Sequence, residues 1–331
     1  LIMTRSIFFS KAGSPDVLEF VDTALRPPAA NEVTIRVKAI GINRAESMWR
    51  TDIYIEPVTF PAGLGYEAAG IVEAIGAEVS DIAVGDAVSV IPSFSQNQYH
   101  TYGEEIVMPA YAVVKHPASL TFEEASSIWM MFITAYGALI EDAKVGKGDF
   151  VVIPAASSSV GLAAIQIANY AGATTIALTR TSSKRAQLLE AGATHVIATQ
   201  EVDFVAEVMR ITDNKGANVV FDPVGGPDFA KLISTLAFQG IAYIYGALAE
   251  EDTVIPVLTM IAKMPTIKGH NIWLTTGDET RRKAAVEYVS KGIASGHLRP
   301  VIDKTFEFSQ MIDVHRYLEN NGQFGKIVVK V

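Results

Sequence analysis

Five short apolar runs recur through the middle of the chain: DFVVI (149–153), TTIALT (174–179), HVIA (195–198), NVVFD (218–222) and IAYIYG (241–246), with helix-length stretches between them. Strands spaced in this way need a helical crossover, and the crossover leaves them parallel with both sheet faces covered. Short runs that are mainly apolar, without a strict polar alternation, suit that double burial. The order predicts an α/β fold built on a doubly wound parallel sheet. After the first run, Val160, Ala164, Ile167 and Ala171 fall on one stripe at spacings of four, three and four, which predicts an amphipathic helix.

The link between that strand and that helix reads PAASSSVG (154–161). It sits where a dinucleotide-binding fold carries its phosphate turn, but only Gly161 matches G-x-G-x-x-G, with Ala156 and Ser158 at the two earlier places. Two readings stand side by side. The serines cap a helix, or Ser157, Ser158, Ser159 and Val160 face a pyrophosphate with the help of the helix dipole. At the end of the second strand, LTRTSSKR (178–185) has no Asp or Glu to take the ribose 2′-hydroxyl of NADH. Thr179, Arg180 and Lys184, with Ser182 or Ser183, suit a 2′-phosphate instead, so NADPH is the predicted cofactor. The alternative makes Lys184 and Arg185 part of a solvated helix face.

From Thr4 to about Ala118 the pattern differs. Short alternating or apolar segments, among them EVTIRVKAIGI, AAGIVEAIG and YAVVKHP, are interrupted by Gly and Pro and read as a β-rich first domain. Val33, Ile35, Val37 and Ala39 alternate with polar neighbours, as in a strand with one buried face. Ser119 or Thr121 is placed to cap a following helix whose first turn carries Glu123 and Glu124. A chain of 331 residues exceeds the usual size of one hydrophobic core, and two domains are expected. The segments RPVIDKTFEF and GKIVVKV near the end are β-like and suit either sheet.

Composition narrows the chemistry. There is no cysteine, which excludes disulfides, thiolate nucleophiles and thiolate zinc sites together. No two of the six histidines lie three to five residues apart, so none forms a local metal-binding pair. The net charge of −9 opposes attraction to nucleic acid or anionic membranes. No stretch has the length or apolarity of a membrane span or the layout of a secretion signal, and a cytoplasmic location is the default expectation.

Taken together, AIGINRAESMWRT, GYEAAGIVEAIG, VGDAV, IWMMFITAYGAL, PAASSSVGLAAIQIA, LLEAGATHVI, VFDPVGG and FGKIVV resemble the zinc-free quinone oxidoreductase branch of the medium-chain dehydrogenase/reductase superfamily, over essentially the whole chain. The resemblance implies a GroES-like β-barrel domain over residues 3–122, a Rossmann domain over 123–268, and a return to the first domain over 269–331, with a cleft between the domains. Zinc-bearing relatives carry a histidine in a Gly-His-Glu motif and a cysteine in an early Gly-x-Cys motif. Tyr66 and Asn43 stand at those places here. Neither offers a donor that zinc prefers.

The resemblance further implies that Asn43 lies by the nicotinamide ribose or the substrate, that Tyr54 projects into the cleft beside Tyr66, and that Thr134 approaches the nicotinamide amide. Further cofactor contacts are implied from Gly246, Ala247 and Leu248, from Asn271, Ile272 and Trp273, and from Gly325 and Lys326. Thr199 stands where some relatives place a tyrosine near the phosphate. Met48, Trp49, Phe94, Trp129, Met130 and Met131 are either cleft lining or core.

The activity implied is hydride transfer from NADPH to a quinone or an α,β-unsaturated carbonyl compound, which delocalise the incoming charge themselves and need no Lewis acid. An enoyl or alkenal reductase, or a zinc-type alcohol dehydrogenase-like enzyme, is the enzymatic alternative. A nucleotide-binding structural or RNA-binding protein is the non-enzymatic one, because some relatives serve as lens crystallins or bind RNA. A homodimer through the Rossmann sheets is implied, with GIAYIYGALAEEDTVIPVLTM (240–260) as its candidate edge.

Overall fold

The structure, a computed structural model, describes residues 2–331. The chain opens with an antiparallel pair, β1 (Met3–Phe8) and β2 (Glu19–Ala24), followed by the long strand β3 (Glu32–Ile42) and the helix α1 (Arg44–Arg50). Strands β4 (Glu67–Ile75), β5 (Ala87–Val90), β6 (Glu105–Pro109) and β7 (Val113–Val114) come next, then α2 (Phe122–Ala125) and α3 (Trp129–Tyr136), which continues as a π-helical turn over Gly137–Asp142. An alternating series follows: β8 (Phe150–Ile153), α4 (Ser159–Tyr170), β9 (Thr174–Thr179), α5 (Arg185–Glu190), β10 (His195–Ala198), α6 (Phe204–Ile211), β11 (Ala217–Asp222), α7 (Phe229–Ser234), β12 (Leu236–Ile244), α8 (Val257–Lys263) and β13 (Thr266–Gly269). The chain ends with α9 (Trp273–Thr276), α10 (Glu279–Ala294), β14 (Ile302–Glu307), α11 (Met311–Glu319) and β15 (Lys326–Lys330). Two compact units result. The first holds the chain up to Met130 with Val286–Ala294 and Pro300–Val331, and the second holds Met131–Ala285 with Ser295–Arg299.

The second unit is the predicted parallel sheet. Its order is β10-β9-β8-β11-β12-β13 with every neighbouring pair parallel, the doubly wound arrangement of a Rossmann fold. Val152, Ile176, Leu178 and Val220 from the strands meet Val208, Phe229 and Leu232 from the helices in its core. Burial of α4 is wider than the expected stripe. It takes in Gly161 to Ile165 as well as Ile167 and Ala168, while Val160 and Ala171 are only half-buried. The small side chains permit this. A Cβ on Gly161 would stand 2.6 Å from the Ala155 carbonyl oxygen, so only glycine lets the helix start this close to the turn before it.

In the first unit the sheet runs β14-β15-β3-β4-β5-β7, with β6 paired to β3. Both C-terminal segments therefore join the first sheet. β15 lies antiparallel to β3, and β14 lies parallel to β15. The alternation expected along β3 holds only around Arg36 and Lys38. Thr34 is buried as well, and from Ala39 to Ile42 every residue is, because the strand is central and covered on both faces there. Thr121 caps α2, accepting from the Glu124 amide at 3.1 Å, while the Glu124 carboxylate accepts from the Thr121 amide at 3.0 Å.

Candidate active site and nucleotide site

Three adjacent strands of the first unit bring Asn43, Glu67 and Lys326 together. Ile327 pairs with Ile42 across β15 and β3, and Gly41 pairs with Glu67 across β3 and β4. The register thus sets Lys326 and Glu67 on either side of Asn43. The Lys326 ammonium donates to Asn43 Oδ1 and to Glu67 Oε2, each at 2.6 Å, and Asn43 Nδ2 donates to the same carboxylate oxygen at 2.9 Å. Glu67 Oε1 accepts from the backbone amides of Trp129 and Met130 at 3.1 and 2.9 Å. Glycine is required at position 41, where a Cβ would stand 2.0 Å from the Ser126 carbonyl oxygen. The amide of Asn43 has one orientation only, since an ammonium must face its oxygen and a carboxylate its nitrogen.

The Lys326 and Glu67 side chains are fully buried. The ammonium of Lys326, a residue inferred as a cofactor contact, is engaged inside the first unit. Gly325, before it, has φ 101°, and a Cβ there would stand 2.4 Å from the Val301 carbonyl oxygen, which marks a structural turn.

A second buried chain adjoins the first. Glu46 Oε1 accepts from the Asn43 amide at 3.0 Å and lies 3.4 Å from Tyr102 Oη. Arg50 donates from Nη1 to His315 Nδ1 and from Nη2 to the Glu319 carboxylate. Arginine only donates, so Nδ1 is the acceptor and the His315 proton sits on Nε2, directed at Tyr102 Oη 3.0 Å away. Tyr102 then turns its own proton to Glu46. Burial pushes the Glu46 carboxyl up to about 8, against the pull of the Lys326 ammonium, and holds His315 down to about 3. The sequence reading missed Glu46, Glu67 and His315 as a group.

Tyr66 is completely buried, in contrast to the surface hydroxyl its residue type suggests. Gly65 directs it. At φ 110° this position is closed to other residues, and a Cβ would stand 2.1 Å from Thr101 Oγ1. The Tyr66 hydroxyl donates to the Tyr54 hydroxyl at 3.2 Å, and the two rings lie 6.4 Å apart. Burial drives the Tyr66 pKa far upward, so it keeps its proton. Trp49, Phe94 and Trp129 are core residues here: Trp49 Nε1 donates to the Gly63 carbonyl and Trp129 Nε1 to Ser89 Oγ. Met131 is likewise core, in the second unit.

The family's zinc does not fit these side chains. Asn43 uses both amide ends internally, Tyr66 is a protonated phenol, and the cation beside Glu67 is an ammonium. Among the described residues no group of three His, Cys, Asp or Glu is placed to hold a metal.

In the second unit the predicted nucleotide residues fall along one end of the sheet, after the C-terminal ends of its strands, where doubly wound folds place ligands. Ser158 caps α4 by accepting from the Gly161 amide at 3.1 Å, leaving the first-turn amides of Ser159 and Val160 without partners inside the helix. Lys184 Nζ donates to Ser157 Oγ at 3.1 Å, which brings the ends of β8 and β9 together. Arg180 is exposed, and Arg185 is committed to the Val196 carbonyl at 2.8 Å. The Thr199 amide donates to the Thr179 carbonyl at 2.8 Å, extending the ladder past β10. Gly246 approaches Pro223 so closely that a Cβ would stand 2.7 Å from its carbonyl oxygen, and the Leu248 amide donates to that oxygen, with Ala247 exposed between them. Asn271 Oδ1 accepts from the Trp273 amide at 2.9 Å, and Ile272 is buried. Thr134 lies on α3, where its carbonyl oxygen is 2.8 Å from His270 Nε2. The donor set and the close turn at Gly161 suit a dinucleotide. One acid went unnoticed in the sequence: Glu201, three residues beyond β10, accepts from both the amide and the hydroxyl of Ser182.

Two family models match the chain. The alcohol dehydrogenase GroES-like domain spans residues 29–123, and the zinc-binding dehydrogenase domain spans 159–290. Quinone oxidoreductase 1 of Escherichia coli K12 is 34% identical over 246 residues, covering 74% of this chain and 73% of its own. The synaptic vesicle membrane protein VAT-1 homologue of Rattus norvegicus is 29% identical over 343 residues, 98% of this chain and 83% of its own. Among solved structures, Escherichia coli quinone oxidoreductase complexed with NADPH matches with a TM-score of 0.90 at 28% identity, over 99% of this chain and 100% of that one. The chain belongs to the medium-chain dehydrogenase/reductase superfamily, in its quinone oxidoreductase branch.

Proposed function

We propose that the protein is an NADPH-dependent reductase that works without zinc on quinones or α,β-unsaturated carbonyl compounds. The observation that carries this reading is the Asn43–Glu67–Lys326 cluster, in which an ammonium and neutral donors stand where zinc-bearing relatives hold a metal. The bound cofactor supplies a hydride. Ser159 and Val160 amides face its pyrophosphate, while Arg180, Lys184 and the neighbouring hydroxyls take the 2′-phosphate. Asn43, held rigid at both amide ends, presents its remaining N–H as an oriented donor. The Tyr54 O–H is polarised by the bond it accepts from Tyr66, which makes it the stronger donor of the two. Such donors are weak beside a Lewis acid, and an acceptor that spreads charge through its own π-system is the substrate they suit.

An acceptor survey following NADPH absorbance tests the assignment. Turnover is expected with quinones or enones and not with simple ketones. Oxidation of secondary alcohols, with no quinone or enone reduced, overturns it. Relatives solved with NADPH and the basic residues after β9 support the cofactor. Arg180→Ala and Lys184→Ala are expected to weaken NADPH about 10- to 100-fold and NADH far less, as the loss of a charge-assisted contact implies; titration of both nucleotides reads the difference. We also propose a homodimer joined along β13 and α8, supported by an open edge strand beside a helix with Val257, Leu258 and Ile261 exposed.

A further inference from the structure

Ser182, one of the hydroxyls offered above to the 2′-phosphate, is already engaged. Ser182 gives its amide N–H to Glu201 Oε2 and its hydroxyl to Glu201 Oε1, the latter at 3.0 Å. The meeting is fixed by backbone, since the amides of Thr199 and Gln200 donate to the carbonyls of Thr179 and Arg180 at 2.8 and 2.9 Å and carry the β9–β10 ladder past both strand ends. Glu201 thus lies beside the loop that bears Arg180, Ser182 and Lys184. We infer that Glu201 is a specificity-determining residue of the nucleotide site, whose carboxylate competes with the 2′-phosphate of NADPH for the Ser182 donors and narrows the preference for NADPH over NADH. This rests on the cofactor reading above.

One N–H and one O–H cannot serve two anions at once. The contact a phosphate gains is therefore net of the carboxylate contact it displaces, and a displaced carboxylate still repels the phosphate charge nearby. The 2′-hydroxyl of NADH is neutral and incurs neither penalty. Glu201 is exposed, so its side chain is able to rotate away, and the repulsion is screened as salt rises.

Calorimetric titration of NADPH and NADH against the wild type, Glu201→Gln and Glu201→Ala tests this at low and physiological salt. Glutamine keeps an acceptor oxygen and removes the charge; alanine removes both. Both variants are expected to bind NADPH about 5- to 30-fold more tightly, with NADH within about twofold of wild type and the NADPH gain smaller at higher salt. Unchanged or weaker NADPH binding, an equal gain for NADH, or a loss of NADH binding overturns the competition while leaving NADPH as the cofactor. Failure of the wild type to bind either nucleotide overturns the cofactor reading and this inference with it.

Discussion

Lys326 and Glu67 form a fully buried ion pair, so removing either leaves the other's charge buried and uncompensated. Lys326→Met is expected to lower unfolding free energy by about 3–5 kcal/mol, and adding Glu67→Gln to restore a good part of it, as read by denaturant titration. A loss in the double variant equal to the sum of the two single-variant losses would show that the pair is not coupled. The buried acid and imidazole give a pH signature. Glu46 keeps its proton in the fold up to about 8, against an ordinary 4.5, so the unfolded chain releases it first and this term lowers stability as pH rises through that interval. His315 titrates at about 3 instead of 6.5, so its term lowers stability as pH falls from 6.5 towards 3. The two oppose each other between 4.5 and 6.5, and above 6.5 only the Glu46 decline remains. Glu46→Gln is expected to flatten the unfolding midpoint between pH 6.5 and 8; an unchanged slope there would contradict the assignment. Tyr66 and Asn43 were legible in the sequence because each replaces a familiar ligand within a motif. Glu67 and His315 were not, because their partners Lys326 and Arg50 lie more than 250 positions away and only strand register and helix packing bring them close.

At the scale of elements, strands buried on both faces were the easiest to read. β9 and β10 span the residues their largely apolar runs mark, since a strand covered on both faces draws apolar residues to successive positions. The helix α11 went unassigned, although Met311, Val314, His315 and Leu318 form its buried side, because a buried histidine and flanking charges blur the apolar period. The candidate dimer segment, residues 240–260, spans the end of β12 and the start of α8. Residues 257–263 form the helix α8, β12 is an inner strand, and β13 is the edge. Periodicity locates an apolar face without saying whether a core or a partner covers it, and Leu258 remains 82% exposed. Leu258→Lys combined with Ile261→Glu is expected to convert a dimer to a monomer in multi-angle light scattering, with nucleotide binding retained. A wild-type monomer, or a variant that stays dimeric, would remove this face as the interface.

For the whole molecule, the order of elements carries more than any single motif. The glycine fingerprint is nearly absent, yet the parallel sheet and the close turn at Gly161 are both present, because small residues at 155–158 meet the same steric need. Among the described residues no helix is long and apolar enough to cross a membrane. The central claim is that the Asn43 amide and the Tyr54 phenol, held in place by Lys326 and Tyr66, do the work left to a metal in zinc-bearing relatives. Its most direct test is single-turnover oxidation of NADPH by a quinone in stopped flow, with protein stripped of divalent ions by a chelator. The account predicts a rate unchanged by chelation and by added zinc. A rate that vanishes on chelation and returns with zinc would contradict it.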